Sequence, residues 1–292
     1  MAQAVRTRVL AHTLKNNGGY LSQACSSAEI LATLYTRVMN LGPSRAPMIP
    51  PPFPGVPGPD NPNYFTGAGY NGPRAPHLDR FFFSPAHYAL VLYATLIEVG
   101  RMAPEGLEQF NQDGSSVEMI GAEHSPGMET TSGSLAQALS QAGGVALARR
   151  LRRESGRVWV FMSDGELQEG QTWEALAALS HYKLDNVGIY FDVNGQQCDG
   201  KMDTVMTVGP IKARLEAFGA NVFEVDGHDV DALAAPADQP REGKPLVVLA
   251  RTDPCRDLDL LRARAPKFHY IRFAGAEERR AYQEALEQMR DG

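Results

Sequence analysis

With 292 residues, 43% of them hydrophobic and 21% charged, the chain is long enough to bury a full core as one large domain or two small ones. A formal net charge of −6 argues against a surface built to neutralise a nucleic-acid backbone, and no apolar run approaches the ~20 residues of a membrane span or resembles a secretory leader. Three scattered cysteines, Cys25, Cys198 and Cys255, make neither a disulfide framework nor a CxxC metal site, so a soluble cytoplasmic protein is expected.

The first predicted element is a helix over "VRTRVLAHTLKNN", closed by Gly18 and Gly19. A second follows in "SSAEILATLYTRVMNLG", with Ser26 and Glu29 at capping-box spacing. The segment at about 43–78 is too rich in Pro and Gly for regular structure and too long for an ordinary connection; it is either disordered or a functional surface loop. It contains "GAGYNG" (67–72), a GxGxxG match without a strand before it and with Pro73 and Pro76 where a helix should start, so the match is accidental. "PAHYALVLYATLIEVG" and "GSLAQALSQAGGVALARRL" read as helices, the second running into "ARRLRRESGR" (148–157), a solvated helix end.

"RVWVFM" (157–162) is a nearly continuous apolar run, as expected of a strand buried on both faces. A helix over 171–182, the strand "NVGIYFDV" (186–193), a helical "PIKARLEAFG", and the strands "NVFEVDG" and "KPLVVLART" complete an alternation. That alternation predicts an α/β fold: one domain over residues 1–292, with a parallel sheet and helices on both faces. A charged amphipathic helix at about 275–290 ends the chain.

In parallel sheets ligands sit beyond the carboxyl ends of strands. Asp164 occupies that place after "RVWVFM", and Asn194 after "NVGIYFDV". Two oxygen-bearing side chains at adjacent strand ends suit a hard divalent cation that carries phosphate oxygens as its other ligands. Gly165 would let a phosphate approach the amide at the following helix start. Taken singly, Asp164 also fits an ordinary helix cap, and Asn194 an Asn-Gly turn.

The run "SDGELQEGQTWEA", closed further on by "VNG", resembles the thiamine diphosphate motif, and more closely the amino-terminal half of a transketolase. "SSAEILATLY", "DRFFFSPAHYALVLYATL", "PGMETTSGSLAQALSQAGGVALA" and "VFEVDGHDVDAL" are similar to blocks of that family, in the same order. Only the Pro-rich insert and the tail after about 253 match poorly. The resemblance implies a thiamine diphosphate-binding fold and a metal, Mg2+ or Ca2+, held by Asp164, Asn194 and the backbone carbonyl of Gln196. It places Gly133, Leu135, Gly165 and Glu166 at the cofactor. His87 is placed at the diphosphate facing the reacting carbon, and His269 is matched loosely to another family histidine. It also places Glu169 and Glu174 in a proton network near the contact between subunits.

The same resemblance exposes departures. Ser163 stands for the first Gly of the motif, Tyr20 for a substrate-binding His, Ala136 and Ala138 for Gly residues, and Cys198 for an apolar residue beside the cofactor; His124 lies out of register with a family His. The expected chemistry is transfer of a two-carbon ketol unit from a ketose to an aldose. The activating Glu of the family comes from a pyrimidine-binding domain, which the chain does not reach. A split enzyme is therefore expected, with a second subunit carrying that domain and two copies of each chain. The alternatives are a subunit of another thiamine enzyme, such as a 2-oxoacid dehydrogenase, and a non-catalytic partner that kept the fold.

Overall fold

The computed structural model describes residues 1–291. Its sheet contains β1 (Arg80–Phe83), β2 (Val158–Ser163), β3 (Val187–Val193), β6 (Asn221–Asp226) and β7 (Leu246–Arg251), with a small hairpin, β4 (Gln196–Gln197) and β5 (Gly200–Lys201), directly after β3. The order across the sheet is β1-β2-β3-β7-β6 and every pairing is parallel. Trp159 and Phe161 point into one core while Val158, Val160 and Met162 point into the other, as the two-residue period of a strand requires. The first core is covered by α1 (Ala2–Lys15), α2 (Leu21–Thr33), α3 (Ala89–Glu98), α8 (Val230–Ala234) and α9 (Ala276–Asp291). The second is covered by α4 (Gln137–Leu151), α5 (Gly170–His181), α7 (Ile211–Ala217) and the short α6 (Met202–Val205). The fold is thus the expected α/β sheet with helices on both faces. No helix among the described residues is long and apolar enough to cross a membrane.

Several local expectations change. β1 lies in "DRFFF", where three consecutive aromatic residues alternate between the cores, Phe81 and Phe83 to one side and Phe82 to the other. The second helix begins at Leu21, not at Ser26. Ser26 and Glu29 are therefore buried inside it, and their three-residue spacing places them on one helix face. α4 begins at Gln137 rather than Gly133, because Ala136 takes a left-handed φ of 66° that a helix cannot contain. Arg149 is not a solvated helix end: it is buried, and its Nη2 donates to the carbonyls of Ala75, Pro76 and Leu78 at 3.2, 2.9 and 2.7 Å.

Those bonds anchor the Pro-rich insert, which is a packed coil and not a disordered one. Tyr70 is buried, the Tyr35 hydroxyl donates to Asn71, and Asn71 Nδ2 donates to the Gly127 carbonyl at 2.9 Å. "GAGYNG" forms a 3-10 turn, Gly67–Asn71. At Gly67 a Cβ would lie 1.7 Å from the Ser125 carbonyl oxygen, so only glycine allows this close approach. In β3, Gly188 leaves room for the Trp159 ring, which a Cβ would meet at 2.2 Å.

Candidate active site

β2 ends at Ser163, which caps the 3-10 turn Asp164–Gln168. The turn is closed by a capping box in which Glu166 Oε2 accepts from the Ser163 N–H at 2.8 Å. The other Glu166 oxygen accepts from the Ala136 N–H at 2.8 Å and from the Ser84 hydroxyl. One fully buried carboxylate therefore ties together the end of β2, the loop after β1 and the start of α4. Burial raises its pKa, and its four donors pull the other way. Glu166, expected at the cofactor, has both oxygens bonded within the protein, and neither it nor Asp164 lines the neighbouring cavity directly.

Asp164 is different. It is 1% exposed; Oδ2 accepts from the Gly195 N–H at 2.7 Å, and Oδ1 has no partner. Burial, and then the charge of Asp192, push its carboxyl well above the usual range. Asn194, at the end of β3, donates from Nδ2 to Asp192 at 3.0 Å and to the Tyr88 hydroxyl oxygen at 3.1 Å, while Oδ1 accepts from the Gln196 N–H at 2.9 Å. Asp192 is the hub behind it. Fully buried, it accepts from Ser26 (2.6 Å), Tyr88 (2.9 Å) and Thr252 (2.5 Å) as well as Asn194. No group of three or more His, Cys, Asp or Glu that could hold a metal is present among the described residues. The available donors are instead one carboxylate, one amide oxygen and backbone carbonyls, a set suited to a hard cation completed by phosphate.

Beside these groups lies a cavity of about 320 Å3. Gly133 and Leu135 form one wall, Gly165, Asn194 and Gln196 another, and His87 and His269 a third. The His87 and His269 ring centroids are 4.8 Å apart, and the Tyr20 ring stands 5.5 and 5.3 Å from them. Burial, assisted by His269, pushes His87 down to about 3; burial also lowers His269 and raises Tyr20. All three rings are therefore uncharged at neutral pH. Glu169 sits exposed at the cavity rim. Glu174 is outside it, on an apolar groove between α4 and α5 lined by Leu139, Leu147 and Leu179. His124 is also away from the cavity, its ring tilted against Phe53 and 3.2 Å from Glu118.

Sequence reasoning missed Asp192, Tyr88, Ser26 and Thr252. The available signal was a carboxylate closing an apolar strand two residues before an Asn-Gly pair.

Residues 65–253 match the family described as transketolase, thiamine diphosphate binding domain. The chain is also 35% identical over 277 residues to a transketolase family protein, y4mO, of Sinorhizobium fredii, covering 93% of this chain and 88% of that protein. The chain belongs to the transketolase family. A second relative, one of the subunits of the apulose-4-phosphate transketolase of Actinobacillus succinogenes, is 29% identical over 294 residues, covering 99% of this chain and 95% of that one. A solved transketolase from Pichia stipitis shares the fold with a TM-score of 0.69 at 22% identity, covering 99% of this chain and 44% of its own. Several other curated relatives are longer, and the chain spans 36% of their length.

Proposed function

We propose that the chain holds the diphosphate and divalent cation, Mg2+ or Ca2+, of thiamine diphosphate in a transferase that moves a two-carbon ketol unit between sugar-like substrates. The observation that carries this reading is Asp164. A buried carboxylate with one unpartnered oxygen is costly unless it stays protonated or meets a cation. Its Gly195 bond fixes the carboxylate, and the Asn194 amide is oriented by Asp192 and Tyr88, as expected of groups that aim metal ligands. The Gln196 carbonyl is the third protein ligand.

Bound thiamine diphosphate supplies the carbanion chemistry, and the protein binds, orients and shields it. Gly165 keeps the space beside the start of the turn open for phosphate, since a Cβ there would meet nothing closer than the Gln197 side chain at 3.8 Å. Gly133 and Leu135 cover the rings from water. His87 and His269 present uncharged imidazoles at rest; one that takes a proton from a substrate hydroxyl becomes a cation only until it returns that proton. Glu169 at the rim is placed to meet the facing half of the site.

That half comes from a second polypeptide with a pyrimidine-binding domain and its activating Glu, in a complex with two copies of each chain. The support is the Actinobacillus succinogenes relative, which is named as one subunit of its transketolase and 95% of whose length this chain covers. Residues 1–292 act as one cofactor-binding unit, and three free thiols fit a reducing cytoplasm.

Calorimetric titration of the assembled complex with thiamine diphosphate and Mg2+ tests the assignment. Asp164→Ala is expected to abolish saturable binding, and an unchanged affinity overturns the reading. Ketol transfer is expected only after the candidate partner is added; full activity from this chain alone overturns the two-polypeptide part.

A further inference from the structure

A second polar cavity lies at the opposite end of the sheet. It encloses about 350 Å3 where β1 and β2 begin, and its walls include Arg37, His77, Asp79, Arg157, Asp238 and Arg241. β2 runs from Trp159 at this end to Ser163 at the candidate active site, ~13 Å of strand at a rise of ~3.3 Å per residue. The two cavities therefore share a strand but no lining residue.

Guanidinium groups converge here. Arg157 lies over the Trp159 ring with Cζ 4.0 Å from the centroid, and Nη1 donates to the Ala237 carbonyl at 2.8 Å. Its Nε is buried and has no acceptor. Burial, followed by the like charge of Arg241, pulls the Arg157 guanidinium down to about 10. Asp79 offsets this only in part. Asp79 accepts from the Arg157 N–H at 2.7 Å, the Asn40 N–H at 2.9 Å and Trp159 Nε1 at 2.8 Å, so both oxygens are already engaged. Arg37 pairs with Asp231 at 2.6 Å, a largely exposed contact that is easily exchanged.

We propose that this cavity binds a small hydroxylated phosphate ester, with the phosphate between Arg157 and Arg241 and the hydroxyls at Asp238, Asn40 and Ser155. The paired N–H groups of the Arg241 guanidinium match two phosphate oxygens, while Arg157, with Nη1 held by Ala237, adds a fixed positive charge. The Asp238 carboxylate, next in the chain to Ala237 whose carbonyl holds Arg157, accepts from hydroxyls and repels a second phosphate, which selects a monoester over a diphosphate. The volume is at the small end for ligand sites, which excludes a dinucleotide. The fixed position of Arg157 over Trp159 means that little side-chain freedom is lost on binding.

The test is calorimetric titration of the full chain with glycerol 3-phosphate and with inorganic phosphate, in the wild type, Arg241→Ala and Asp164→Ala. Arg241 is exposed, so its removal should leave the fold intact. Saturable binding of glycerol 3-phosphate is expected, weakened at least ~10-fold by Arg241→Ala, the loss of one charge-assisted contact. Asp164→Ala should leave it unchanged, which separates this site from the thiamine diphosphate reading. Absence of saturable binding, indifference to Arg241→Ala, or loss on Asp164→Ala overturns the proposal. Equal affinity for inorganic phosphate overturns the role given to the hydroxyls.

Discussion

The two ends of the candidate active site are built on different principles. Where β2 and β3 stop, Asp164, Glu166, Asp192 and Asn194 form a dry network in which nearly every oxygen has a donor, and Asp164 Oδ1 is left over. Across the cavity, Tyr20, His87 and His269 meet as rings about 5 Å apart, with few directional bonds. Gln23 Nε2 donating to the His269 carbonyl at 3.0 Å is the main one. A saturated network fixes geometry to a fraction of an ångström, as a metal and diphosphate demand. Ring contacts tolerate exchange of one side chain for another, which suits the part of a site that meets variable substrates. The network end should therefore respond to mutation in stability and the ring end in turnover.

The largest effect is expected at the hub. Asp192→Ala strands the buried Ser26 and Tyr88 hydroxyls and the part-buried Thr252 hydroxyl and Asn194 amide. A loss of ~3–5 kcal/mol in unfolding free energy is expected for breaking a buried charged network, read by urea denaturation. A loss below ~1 kcal/mol would show that the network is not what holds the strand ends. Glu166→Gln comes next. Its new NH2 must face either the Ser84 hydroxyl and Ala136 N–H or the Ser163 pair, donor against donor on either side. A cost of ~1–3 kcal/mol follows, together with loosening of the left-handed turn at Ala136, which hydrogen exchange at residues 133–137 would report. If that segment stays protected, Glu166 does not pin it.

This contrast also explains what could be read from the sequence. The network end is made of short sequence intervals at strand ends, so Asp164, Gly165 and Asn194 were legible from an apolar run followed by Asp-Gly, and another followed by Asn-Gly. Asp192 and Tyr88 were not, because their role depends on Ser26 and Thr252 arriving from remote helices and strands. The ring end is assembled by long-range contacts, such as Gln23 with His269, 246 positions away. No local pattern encodes such a meeting. Glu166 has a related limit: "SDGE" displays acidity, whereas burial and donors, which local sequence does not show, decide what an acid does. Disorder and an ordered surface loop could not be told apart for the insert, because its order comes from Arg149 and Asn71 bonding its carbonyls and neighbours, not from local propensity.

At the ring end, His87→Ala should lower ketol-transfer turnover in the assembled complex by at least ~10-fold, as for a positioned acid–base group. Its melting temperature should stay close to that of the wild type, because the ring is half-buried and its packing is limited to ring contacts with Tyr20, Tyr88 and His269. A collapse in stability with unchanged turnover per folded molecule would reverse the comparison and make His87 part of the frame.

The smallest effect separates the two ends by pH. His87 is held at about 3 against an ordinary 6.5, so between those values the unfolded chain binds the proton more readily. Its contribution to stability is complete above pH ~6.5 and is lost as pH falls toward 3. His12, lowered to about 4, acts in the same direction. Asp164, Asp192 and Glu166 are raised and act in the opposite sense: without a cation they favour the folded state more as pH falls toward ~4, where the unfolded carboxyls also gain protons. The net slope of the wild type mixes both ends. The difference between wild type and His87→Gln isolates the ring. Denaturation at pH 7.5 and at pH 5 should show the variant gaining on the wild type at the lower pH. The gain should fall well short of the ~1.4 kcal/mol per pH unit of a fully shielded proton, because solvent screens a half-buried ring. An identical gap at both pH values would mean that the imidazole is as well solvated when folded as when unfolded. The ring end would then be a wet surface rather than the dry wall of a substrate cavity.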